Sequence, residues 1–135
     1  MEFFQWKDSF SVNNKEMDDQ HKRFFSLLNE LNEIAEKQGG HKEEFGKIYE
    51  ELSDYADLHF QNEEHLCEIH AYPDLEQQNI QHQFFRDELQ RLGEEFHKGK
   101  PIAAKALLIF LRDWLINHIL QEDKKYAQYL AKPGV

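Results

Sequence analysis

Helix-breaking residues interrupt this chain in very few places, and between them the apolar residues recur with helical rather than alternating spacing. That sparse punctuation constrains the fold most. It leaves four long segments separated by Gly39-Gly40, by Tyr72-Pro73, and by Gly99 with Pro101. Long helices joined by short connections run antiparallel to their neighbours, so the expected fold is all-α: an antiparallel up-down-up-down four-helix bundle. The first helix is expected from about Asp18, with Asp18 and Asp19 suiting its first turn, to just before Gly39. The second runs from about Lys42 to Ile69, ended by Tyr72-Pro73 because a residue before proline leaves the helical region. The third follows Pro73 to about His97 and tolerates Gly93; the fourth follows the break at Gly99 and Pro101. Residues 1–16 do not carry the bundle pattern, yet Phe3, Phe4, Trp6 and Phe10 are too apolar for a free tail. An ordered N-terminal arm over the helices is expected, within a single domain of residues 1–135 whose bundle occupies 17–132.

A chain of 135 residues can bury a core without disulfide or metal staples, so a bound metal would serve function. The formal charge of -10 and pI near 5.2 argue against nucleic acid, whose binding needs clustered Lys and Arg. Cys67 stands alone and cannot form an internal bridge, which reads as an inert buried thiol. There is neither a basic-then-apolar leader nor an apolar run long enough to span a membrane, so no membrane association and a cytoplasmic location are expected.

The third segment poses the chemical question. Its inward stripe is Leu75, Gln78, His82, Phe85, Leu89, Leu92 and Phe96, with two polar residues a turn apart on an apolar face. The other stripes carry similar exceptions. The first reads His21, Phe24, Phe25, Leu28, Leu31, Ala35; the second Phe45, Ile48, Leu52, Tyr55, His59, Asn62, Glu63, Leu66. The fourth has Ala104, Leu107, Leu108, Leu111, Trp114, Leu115 and His118, then Tyr126 and Leu130. Because the directions alternate, His21, His59, Glu63, Gln78, His82 and His118 all fall at one end of the bundle. His59 and Glu63 stack one turn apart, roughly 6 Å along the axis. Asp123 follows His118 by five places, about 140° off a regular helical face, and would turn inward only if the helix widens locally to i to i+5 bonding. A lone inward His is ordinary core. Several with two acids at one level are costly unless a cation neutralises the acids, and imidazoles with carboxylates suit iron, manganese or zinc. His41 and His97 lie at helix ends, His65 off the stripe, and His70 two turns past Glu63; these read as structural or surface residues.

With "MDDQH" at 17–21, "HFQNEE" at 59–64, "YP" at 72–73, the spaced His82 and "WLINHILQED" at 114–123, the chain resembles the bacterial hemerythrins over nearly its whole length. The resemblance implies a non-heme di-iron centre, two Fe ions bridged by Glu63, Asp123 and a solvent-derived oxygen. His21 and His59 would hold the iron that takes dioxygen; the family's other iron has three histidines, mapped here to Gln78, His82 and His118. It also implies a dioxygen-binding protein for storage, delivery or sensing rather than an enzyme, with dioxygen as the partner. The alternatives are a di-iron redox enzyme acting on peroxide or nitric oxide, and a metal-poor structural or sensory bundle. Gln78 is a departure from the pattern. It can ligate through its carbonyl oxygen, hold a water at the metal, or leave the second metal loosely bound, and a water-filled position would shorten the life of the dioxygen adduct. Phe24, Phe25, Leu28, Phe60, Trp114, Leu115 and Ile119 are candidates to line an apolar pocket beside the site.

Overall fold

The computed structural model describes residues 4–37 and 42–131, with 101–103 described in backbone only. Phe3, His41 and the Gly39-Gly40 break lie outside the described residues. The described chain is helical throughout its long elements: α1 Lys15–Glu36, α2 Lys42–Ile69, α3 Leu75–His97, α4 Pro101–His118, a π turn Ile119–Asp123, and α5 Lys124–Leu130 continuing the same rod. Helix α1 opens three residues before the expected Asp18, because Asn14 caps it by accepting from the Met17 N–H at 3.1 Å. Asp18 faces back instead and accepts from Ser11 Oγ and the Val12 N–H.

Contacts at both ends set the helix directions. Phe45 near the start of α2 stacks on Phe96 at the end of α3, with centroids 3.6 Å apart, and Lys105 early in α4 reaches Glu36 at the end of α1 at 2.8 Å. At the opposite end the Tyr55 hydroxyl donates to the Gln20 carbonyl, and Tyr129 donates to that of His70. Neighbouring helices therefore alternate in direction, and the core of Phe24, Leu28, Leu31, Leu52, Phe60, Phe85, Leu92, Leu108 and Leu111 lies between all four.

Two helix ends close in the same way. At the end of α3 the Lys100 N–H bonds to the Glu95 carbonyl, with Gly99 at φ 76. At the end of α2 the Tyr72 N–H bonds to the Cys67 carbonyl and the Ala71 N–H to that of Glu68, with Ala71, a non-glycine, at φ 51. The N-terminal segment lies on α1. Phe4 stacks on Phe25 at 3.4 Å, its N–H and carbonyl are held by the Asn29 side chain, and Phe10 and Val12 are buried.

The expected inward stripes need correction in places, and on the fourth Trp114 and Leu130 are only half-buried. On α2, Asn62 and Leu66 are exposed, and the buried face runs through Leu52, Ala56, His59, Phe60, Glu63 and Cys67. On α1, Ala35 is only half-buried, while Leu27 and Ile34 are buried. On α3, Gln78, His82, Phe85, Leu89 and Leu92 are buried as expected, while Leu75 and Phe96 are half-buried. No helix among the described residues is long and apolar enough to cross a membrane.

Candidate metal centre

Each helix delivers its polar residues to the same end of the core. His21 comes from early α1, His59 and Glu63 from late α2, Gln78 and His82 from early α3, His118 from the end of α4, and Asp123 from the π turn. All seven are buried. Asp123 turns inward because the π turn spans Ile119–Asp123, absorbing the extra residue that a regular helix would carry off the face.

The acid oxygens divide between two sides. Glu63 Oε1 lies 2.7 Å from His59 Nε2 and 3.7 Å from His21 Nε2, while its Oε2 lies 3.1 Å from His82 Nε2. Asp123 Oδ2 lies 3.1 Å from His21 Nε2, while its Oδ1 lies 3.2 Å from His118 Nε2 and 3.4 Å from Gln78 Nε2. Each carboxylate thus gives one oxygen to a His21 and His59 side and the other to a His82 and His118 side. Two groups of ligand atoms, His21 with His59 and Glu63, and Glu63 with His82 and His118, each lie within 4.8 Å of one another.

The remaining ring nitrogens are tied down. His59 Nδ1 meets Gln20 Oε1 at 2.5 Å, His82 Nδ1 meets Glu64 Oε2 at 2.7 Å, and His118 Nδ1 meets Gln81 Oε1 at 2.6 Å. An Nδ1–H donated to these oxygens leaves the Nε2 lone pair facing the cluster, which is the tautomer a metal requires. Arg86 braces Glu64 from outside at 3.8 Å and pairs with Asp57 at 2.7 Å. His21 is the exception, with no hydrogen-bond partner at Nδ1.

The acids and imidazoles of the cluster hold one another in their charged forms. Burial pushes Glu63 up, but the imidazoles of His59, His21 and His82 outweigh it and hold the carboxyl well below its usual range. Burial and the neighbouring Glu63 push Asp123 up, and His118 and His21 more than reverse that. Burial depresses His21, yet Asp123 and Glu63 raise it to about 9; burial depresses His82, and Glu63 and Glu64 raise it to about 9. Both acids are therefore charged at neutral pH. Even so, Glu63 Oε1 and Oε2, Asp123 Oδ2 and the Nε2 atoms of His21, His82 and His118 meet only one another, out of hydrogen-bond geometry, and Gln78 Oε1 meets no donor. Buried polar atoms are rarely left so, and a set of imidazole nitrogens and oxygens converging on two points fits metal cations.

Of the expected lining residues, several meet the clustered histidines through their rings. Phe24 sits edge-on to His59 at 5.6 Å, Phe60 stacks on His82 at 4.0 Å, and Trp114 stacks on His118 at 4.7 Å. Leu28, Leu115 and Ile119 are buried. Phe25 belongs elsewhere, since it stacks on Phe4 of the arm. Sequence reasoning did not single out Gln20, Glu64 and Gln81. A signal was present, because each adjoins a site residue in sequence: Gln20 precedes His21, Glu64 follows Glu63, and Gln81 precedes His82.

Fold and cluster together define a four-helix-bundle protein with a buried, imidazole- and carboxylate-lined cation-binding centre. The chain belongs to the hemerythrin family: residues 12–130 match the Hemerythrin HHE cation binding domain. It is 34% identical over 122 residues to a bacteriohemerythrin of Methylococcus capsulatus, covering 90% of this chain and 92% of that one. It is 32% identical over 128 residues to a hemerythrin-like protein of Naegleria gruberi, covering 94% and 93%. A wild-type hemerythrin crystal structure superimposes with a TM-score of 0.84 at 31% identity, covering 96% of this chain and 99% of that one.

Proposed function

We propose that this protein is a dioxygen-binding, non-heme di-iron protein in which His21, His59, Glu63, His82, His118 and Asp123 hold two Fe ions, with Gln78 beside the second. The observation that carries this reading is the division of both carboxylates, each with one oxygen toward either side of the cluster. Acids placed so would hold a cation on either side and neutralise part of its charge. Gln20, Glu64 and Gln81 hold the imidazoles in register. Phe24, Phe60, Leu28, Leu115 and Ile119 are buried and keep water and protons from the site. Two ferrous ions would supply the electrons for reversible dioxygen binding; the protein supplies position and dryness.

Family membership favours a binder over an enzyme, and oxygen storage, delivery or sensing in the cytoplasm as a single 1–135 domain fits it. The test is anaerobic loading with ferrous iron followed by aeration. Two irons per chain and a visible charge-transfer band that fades on removing oxygen are expected. Iron well below two per chain, or steady consumption of peroxide without a reversible band, would overturn the proposal.

A further inference from the structure

Residue 78 is where this chain leaves the pattern it otherwise follows, and the residue placed there is a fully buried amide. Gln78 Nε2 lies 3.4 Å from Asp123 Oδ1, and Gln78 Oε1 has no hydrogen-bond partner. The nitrogen and oxygen of a primary amide share one carbon. The carboxylate oxygen that the NH2 group approaches is the one facing His118. An amide NH2 cannot bind a cation, whereas the carbonyl can, and a carbonyl buried without a partner is unfavourable. The NH2 contact to Asp123 and a carbonyl contact to a cation are compatible in one orientation of the side chain.

Resting on the dinuclear reading above, we propose that Gln78 ligates the cation on the His82 and His118 side through its carbonyl oxygen, and that it sets the metal preference of that side. Imidazole nitrogens strengthen binding most for metals late in the divalent series, such as zinc; amide and carboxylate oxygens discriminate less. Two imidazoles and an amide oxygen, in place of three imidazoles, thus make this side harder and open to manganese(II) as well as iron(II). Gln78 is a selectivity residue.

Metal-free full-length protein, titrated with manganese(II) while free ion is counted by electron paramagnetic resonance, and with zinc(II) against a chromophoric chelator, tests this in native, Gln78→Leu and Gln78→His forms. The native chain is expected to take two ions in two steps. Gln78→Leu should weaken one manganese step about tenfold or more and leave the other within about twofold. Gln78→His should tighten that same step for zinc about tenfold more than for manganese. Should Gln78→Leu fold poorly, Gln78→Asn keeps the amide but withdraws its oxygen by one methylene, and the same loss is expected. If the leucine or asparagine variant binds both ions within about twofold of native, the amide is not a ligand and the proposal fails. If native protein and Gln78→His both take up fewer than two ions, the dinuclear reading itself has failed.

Discussion

Gln20, Glu64 and Gln81 owe their role to helical geometry. One residue along a helix turns the side chain about 100°, so the neighbour of an inward ligand points sideways, toward the adjacent helix. There it meets the outer nitrogen of that helix's histidine. Replacing Gln81 with Leu removes the acceptor for His118 Nδ1, and metal affinity should fall about 10- to 100-fold with helix content unchanged; competition with a chelator, read beside circular dichroism, checks it. Unchanged affinity would show that the contact does not orient the ring. The clustered histidines and acids were legible in sequence because metal binding restricts residue type. These acceptors were not, since glutamine and glutamate are ordinary surface residues until a neighbouring helix is placed beside them. Cys67 offers a second residue-scale consequence. Burial, aided by the Glu63 charge, pushes its thiol from 9.0 up to about 12. An acid raised on folding gives its full stabilisation below its unfolded value and loses it as pH climbs toward the folded one. Stability should therefore fall between pH 9 and 12, by about 1.4 kcal/mol per pH unit from this thiol. Urea titrations across that range should give a shallower slope for Cys67→Ala, whatever its absolute stability.

Among the elements, the turn after α2 departs from the usual choice. Ala71 occupies a left-handed position that glycine normally takes, at φ 51. Ala71→Gly relieves the Cβ clash and should stabilise the fold by about 0.5 to 1 kcal/mol after the added chain entropy, read as a higher urea midpoint with an unchanged slope. Gly93 behaves in the opposite sense. A Cβ there would lie 2.6 Å from Tyr49 Cζ, and Tyr49 is held by its hydroxyl bond to the Leu89 carbonyl at 2.8 Å. Gly93→Ala should cost about 1 kcal/mol despite its better helix propensity. In a Tyr49→Ala background the sign should reverse, and a double-mutant cycle by chemical denaturation tests both. The α2 stripe shows where periodicity misleads: Leu58, Leu66 and Ile69 are apolar yet exposed, so a template stepping through Asn62 and Leu66 fits the sequence as well as the true face. His59 and Glu63 lie on both templates, which is why the site survived the error. The π turn was legible for a chemical reason, since Asp123 had no other way to face the core.

For the molecule as a whole, the four helix segments were readable because breakers are scarce, and their directions followed from connection length. The seating of the arm on Phe25 was legible only as excess hydrophobicity. An apolar core that joins all four helices should hold the fold without metal. Chelated protein should keep its helical circular dichroism and unfold cooperatively, and zinc at 100 times its dissociation constant should add about 2.7 kcal/mol per site, seen as a rise in Tm. Loss of helix on chelation would contradict this.

The ring contacts run in one direction around the bundle: α1 holds the histidine of α2, α2 that of α3, and α3 that of α4. A cage strung in this way keeps its shape by its own stitching. It can surrender its ions to a competitor and be refilled later without refolding, so a protein built on it is a vessel that outlasts its contents.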